Sequence, residues 1–419
     1  MHERAYRQRL EADLARWQGE GLLPPAAADA IRATLRPVPE GVTIATVVGI
    51  VGGLLIAAAF LAFVAANWTA IARPMRFAIL IAGIVGAYGA GALFDRAGRA
   101  HLADLCVGMG SIVFGAAIAL TGQMYHLGDD FAGGLLLWAA GALAAAVLTG
   151  SRSALAVALA AACFWSSMRI FATADIHVQF VAFWLIAAAL ALAWNAPVAR
   201  HLVALSALAW AVMAALGADQ SRLVHAPFLF VGIVSFMIGG GLLLAIRDGD
   251  SVRNFGLTLS THGAFGLAFG VAFIVLGLFR PIAAPLPAWV IGLGVVAALM
   301  AFAAAAVARK PGPALAGVAI VLALIVASGA IRTTAASEPW LAYALALCAM
   351  LSLVVSGMLD DVRPRVIAGW IGLALAIAAI TWAVRGSLLR RAAFLALAGL
   401  VAVALASLLG RLLGKARRR

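Results

Sequence analysis

The chain has 419 residues, 65% of them hydrophobic and only 11% charged, against about 25% charged in an ordinary soluble domain. A soluble fold must keep most of its surface wetted, so this composition excludes one and calls for lipid as solvent. The net charge of +13 is no nucleic-acid footprint, because Lys and Arg are scattered through short gaps between apolar runs, where they act as determinants of membrane topology.

Residues 1–41 read as a small helical hairpin. Tyr6, Leu10, Leu14 and Trp17 recur at helical spacing and make one apolar stripe. Gly19 and Gly21 end that helix, Pro24 and Pro25 suit the opening of a second with Ile31 and Leu35 on one face, and Pro37 and Pro39 close it. Six Arg balance six acids here. Such a segment has little core of its own, and the expectation is that it docks on a cytoplasmic partner, on the membrane face or on a second copy. It carries no cleavable leader, so the first span is expected to serve as its own insertion signal.

Apolar runs then follow one another, each near the ~20 residues that cross a ~30 Å hydrocarbon core. They are expected at 42–66, 74–94, 102–122, 131–149, 153–171, 177–195, 200–217, 226–246, 254–279, 286–308, 313–331, 339–358, 364–384 and 389–413. The fold class is therefore all-α, a polytopic bundle of about fourteen spans over 42–413 with a basic tail at 414–419. Helices are required because backbone groups in hydrocarbon must bond one another, and the alternating polarity of a barrel is absent. The seventh run is the shortest, and Gly150–Ser151–Arg152 makes a very tight join between the fourth and fifth. With the N-terminus inside, 21 Lys and Arg fall on the cytoplasmic side and 9 outside, almost all of the bias coming from the two tails. Both termini are accordingly expected in the cytoplasm.

Gly is abundant, with 43 residues, including the pairs Gly49/Gly53 and Gly266/Gly270 and the run Gly239–Gly240–Gly241. Such residues let helix backbones approach closely. Gly108-x-Gly110 lies inside a span with no strand before it and is no nucleotide loop. Cys106, Cys163 and Cys348 sit apart in apolar runs and read as packing residues, not a disulfide framework or zinc site.

Polar chemistry interrupts this pattern at 120–138, where Gln123, Tyr125, His126, Asp129 and Asp130 fall between two spans. On the expected topology three successive outer loops each pair histidine with aspartate: His126 with Asp129 and Asp130, Asp175 with His177, and Asp219 with His225. Converging, they could hold a divalent cation or titrate near neutral pH. Standing apart, they are wetted loop residues, with Asp129 and Asp130 placed to cap a helix N-terminus. No carboxylate lies mid-span; His262 is the central polar candidate, able either to move a proton or to bond a neighbouring helix. No catalytic triad, phosphate loop, HExxH or paired-carboxylate motif is present, and no cofactor or metal is expected.

Two pieces carry a family resemblance. One is the run from Leu10 through Arg16–Trp17 to Gly21-Leu22-Leu23-Pro24; the other is Asn67–Trp68, then Gln123-Met124-Tyr125-His126 and Trp138. Together, over about residues 5–170, the chain resembles the bacterial predicted membrane proteins grouped as domain of unknown function 2157. The resemblance implies a short cytoplasmic helical segment ahead of the spans and a bacterial inner-membrane location, with no established activity.

Three functions stay open from sequence. The first is a non-enzymatic scaffold, sensor or assembly factor that uses 1–41 as its contact. The second is a carrier or flippase for a lipid-linked or weakly polar substrate, which needs no midplane charge. The third, an enzyme at the outer face, requires His126, Asp129 and His177 to converge. The bilayer is the one partner that composition demands; nucleic acid is not expected, and oligomeric state is not encoded legibly.

Overall fold

A computed structural model describes residues 2–34, 48, 51–52, 55, 59, 62, 71–125, 130–173, 175–221, 226–277, 286–328 and 340–383. Contacts divide the chain into two units, Met1–Phe60 and Leu61–Arg419. Among the described residues the secondary structure is entirely helical, as the composition requires.

In the first unit α1 spans His2–Gly19 and α2 spans Pro25–Thr34. Gly21 at φ +70° turns the chain, and the Leu22 and Leu23 amides donate back to the Trp17 carbonyl. Pro25 opens α2 because its missing N–H would have no helical acceptor there. Leu14 and Ala28 are fully buried, and Arg32 Nε donates to Glu11 across the two helices at 3.1 Å. The first expected span, 42–66, lies almost wholly outside the described residues, and so does the last, 389–413.

The second unit contains α3 (Arg73–Arg96), α4 (Ala100–Tyr125), α5 (Phe131–Thr149), α6 (Arg152–Thr173), α7 (Gln179–Trp194), α8 (Pro197–Ser221), α9 (Ala226–Ala245), α10 (Asp250–Leu276), α11 (Ala288–Ala308), α12 (Pro311–Ala327), α13 (Trp340–Leu359) and α14 (Arg363–Ala383). Ten of these twelve are long and apolar enough to cross a membrane by length and composition; α7 and α12, with 16 and 17 residues, are shorter. The expected brevity of the seventh run is corrected: that helix, α8, has 25 residues because it opens at Pro197 and runs on to Ser221. The short element is its predecessor α7, which stops where Asn195 turns left-handed at φ 47°.

The helices alternate in direction, and the two ends differ. At one end, marked by Asp104, the connections 97–99, 150–151, 195–196, 246–249, 309–310 and 360–362 are two to four residues long. Each uses one left-handed residue: Gly98, Gly150, Asn195, Gly249, Arg309 and Asp361. At the opposite end, marked by His177, the connections run from four to twelve residues. Trp289, Trp340 and Trp382 lie exposed at the His177 end, where a boundary belt favours tryptophan.

Two large apolar cores meet at α8, α9 and α10, one chiefly among α4–α8 and the other chiefly among α8–α14, and a third small one joins Ala264, Ala319, Leu353 and Ala368. The closest packing is between α9 and α10. A Cβ on Gly256 would stand 2.5 Å from the Gly241 carbonyl oxygen, and one on Gly241 would stand 2.6 Å from the Gly256 carbonyl oxygen. Gly239 lies equally close against the Ala297 backbone of α11. Backbone rests on backbone here, near the Asp104 end of both helices, and at mid-helix a Cβ on Gly263 would stand 2.8 Å from the Val234 carbonyl oxygen, so the α9–α10 seam is closed well into the bundle. Gly266 and Gly270 extend this seam beneath Val234 and Phe230. Of the three cysteines, Cys106 and Cys163 are half-buried, whereas Cys348 points outward and does no packing.

Candidate functional site

The polar stretch at 120–138 resolves into parts with different surroundings. Gln123 and Tyr125 are exposed on the last turn of α4. His126 and Asp129 lie outside the described residues. Asp130 caps α5, its Oδ1 accepting the Gly133 amide at 2.9 Å, as its place before an apolar helix predicts. Trp138 folds over Gly115 of α4 and donates from Nε1 to the Ser111 carbonyl at 2.8 Å. The glycine is what lets the indole reach that backbone.

Asp130 and His177 come to the same end of the bundle, and Arg169 is near both. Arg169, on the last turns of α6, approaches Asp130 Oδ1 at 3.7 Å with both side chains largely exposed. An ion pair so wetted contributes about 0–1 kcal/mol. His177 is a different matter, being only 9% exposed. Its Nδ1 lies 3.2 Å from Ser166 Oγ, and its ring meets Trp165 edge-on at 4.4 Å between centroids. Burial, and then the positive charge of Arg169, push its pKa below the ordinary histidine value. The imidazole is therefore neutral at pH 7 and pins the start of α7 against the end of α6. Asp175, two residues earlier, is exposed, and His225 falls outside the described residues.

His262 sits thirteen residues into α10 and is half-buried. Its Nδ1 lies 2.9 Å from the Thr258 carbonyl one turn earlier. Its ring also faces His201 of α8, with centroids 5.2 Å apart and planes tilted by 58°. His201 carries no sequence signal for this pairing, since 61 positions separate the two. It lies four residues past the start of α8, about 6 Å along that axis, whereas His262 lies twelve residues past the start of the 27-residue α10, about 18 Å along its own.

Two further polar clusters hold the Asp104 end. The Asp104 carboxylate accepts Ser151 Oγ and Ser153 Oγ, each at 2.7 Å, and so clamps the tight α5–α6 turn onto α4. Ser151 in turn caps α6 by accepting the Ala154 amide. Farther along, Arg365 is 2% exposed and donates to Asp360 at 2.6 Å and to Ser356 at 3.0 Å. Ser356 Oγ donates to the Gly312 carbonyl, which joins α12, α13 and α14. In sequence Asp360 reads as a loop charge and Arg365 falls at the very start of the expected span 364–384; only the folding of the 360–362 turn over Gly312 buries the pair. Among the described residues no three His, Cys, Asp or Glu side chains gather as a metal-binding group.

Comparison with known proteins gives one match: residues 15–155 fit the family model of predicted membrane proteins called domain of unknown function 2157. This covers the segment from α1 through the α5–α6 turn, including the Trp138 and Asp104 contacts. No curated protein and no solved structure matches the chain.

Proposed function

We propose that this membrane protein is a non-enzymatic scaffold or assembly factor of a bacterial inner membrane, with residues 1–41 as its cytoplasmic contact. The observation that carries the reading is the closed α9–α10 seam, where Gly241 and Gly256 bring the two helices backbone to backbone near their turn and Gly263 continues the contact against the Val234 carbonyl at mid-helix. A carrier for a lipid-linked substrate would need a path between helices, and that seam leaves room for no more than hydrogen on either glycine. A small charge-balanced segment in a chain otherwise so apolar suits a handle for a partner. The Lys and Arg count of the two tails favours placing both termini in the cytoplasm.

The test combines two labels on the full chain in native membranes, in a background lacking the three cysteines. Ser235→Cys and Ser260→Cys, both at buried positions of α9 and α10, are expected to resist a water-soluble maleimide. A photo-crosslinking residue at the exposed Leu22 is expected to capture one discrete protein. Maleimide labelling of the α9–α10 centre would reveal an aqueous path and overturn the scaffold in favour of a carrier. Absence of any specific adduct at Leu22 would overturn the role given to 1–41.

A further inference from the structure

We infer that His201 and His262 form a cross-helix binding site for a first-row transition dication of the kind that favours imidazole, such as Zn²⁺ or Cu²⁺. The argument begins with the tautomer. The Thr258 carbonyl 2.9 Å from His262 Nδ1 can only accept, so Nδ1 carries the proton. The Nε2 lone pair is then free, the state in which a backbone carbonyl prepares histidine to be a ligand. The separation agrees. Two imidazole nitrogens binding one metal at about 2.0–2.1 Å with a tetrahedral angle hold their ring centroids about 5.2 Å apart. The observed centroids are 5.2 Å apart, whereas opposite ligation on a straight line would require roughly 6.4 Å on the same bond lengths.

Access and charge complete the case. His201 is exposed and His262 half-buried, so an ion can arrive from the boundary while one ligand stays fixed by the fold. Arg200 is the adjacent cation, but its Nη1 is turned to the Asn195 carbonyl and side-chain oxygen at 3.1 and 3.0 Å. Among the described residues no third His, Cys, Asp or Glu completes a group. Water fills the remaining positions, and the site is one of modest affinity that ties α8 to α10. This inference does not depend on the scaffold reading, because a carrier with the same pair would bind the same ion.

The experiment uses the full chain in detergent micelles, with zinc chloride and copper chloride as probes. Zinc is expected to raise the melting midpoint reversibly, with EDTA restoring the original value. Copper is expected to give an electron paramagnetic resonance spectrum with nitrogen hyperfine structure. His201→Gln and His262→Gln should each weaken the zinc response by about tenfold or more, the loss expected when the ligand shell is broken. His101→Gln, at an exposed position on α4, should leave it unchanged. If His262→Gln does not fold, the exposed His201→Gln carries the test alone. A wild-type chain with no EDTA-reversible shift, or a His201→Gln chain with undiminished zinc affinity, would overturn the site.

Discussion

Asp360→Ala removes the carboxylate that faces Arg365 and leaves the guanidinium where it is 2% exposed. Breaking one side of a buried ion pair costs about 3–5 kcal/mol, because the surviving charge stays desolvated without its partner. Two details set the expectation at the low end of that range. Arg365 keeps its bond to Ser356 Oγ at 3.0 Å, and the second Asp360 oxygen is buried with no hydrogen-bond partner among the described residues, so its removal relieves a cost. The expected loss is therefore about 3 kcal/mol. Asp360→Asn keeps an acceptor but not the charge and should lose about half as much, the worth of a hydrogen bond to a charged group. Asp360→Ala combined with Arg365→Met removes both charges and should return to within about 1 kcal/mol of the parent. The assay is the unfolding midpoint of the purified chain in mixed micelles as denaturing detergent is titrated in. A single Asp360→Ala change costing under about 0.5 kcal/mol would refute the reasoning, since it would mean that Arg365 slides its charge to the boundary and stays solvated.

Two other predictions concern different parts of the bundle. Gly256→Ala places a methyl 2.5 Å from the Gly241 carbonyl oxygen and 2.6 Å from the Ala245 amide nitrogen. Neither backbone group can rotate away, so the midpoint should fall by the equivalent of about 1–3 kcal/mol, while Gly292→Ala, with nothing within 4 Å of its new Cβ, should not be destabilising. For His177 the folded pKa lies below the unfolded value of about 6.5. The unfolded chain then binds more protons, so this contribution is complete above that value and is lost as pH falls below it towards the folded pKa. Melting midpoints between pH 7.5 and 5 should decline, and less steeply in His177→Gln; parallel profiles would refute the assignment.

The fold was legible because apolar length is a strong signal: the bounds of α3 to α14 lie within a few residues of the runs visible in sequence. The misread pair, α7 and α8, turned on Pro197 and Asn195. Proline at the first position opens a helix, so polar residues up to Arg200 belong to α8 and not to a loop. The sites were less legible, because their partners are distant in sequence. Asp104 meets Ser151, and His201 meets His262, only after the helices stack. Of the histidine–aspartate loop pattern, Asp130 and His177 share Arg169 as a neighbour, while His126, Asp129 and His225 lie outside the described residues. It gave no sign that His177 would be packed beneath Trp165 instead of facing water. Periodicity reports which face of a helix is apolar, not which polar group on a neighbouring helix it will meet.

The six short connections at the Asp104 end also bear on how the chain enters a bilayer. Each joins two helices through two to four residues, so α3–α4, α5–α6, α7–α8, α9–α10, α11–α12 and α13–α14 are six closed hairpins. A helix of 16 or 17 residues extends about 24–26 Å, short of a ~30 Å hydrocarbon core. Standing alone, α7 and α12 would be marginal inserting segments. Each is tied through a two-residue turn to a longer partner, α8 with 25 residues and α11 with 21. Each short helix is therefore one arm of a closed hairpin whose other arm is long and apolar enough to cross a membrane, so the hairpin and not the single helix is the apolar unit that lipid meets.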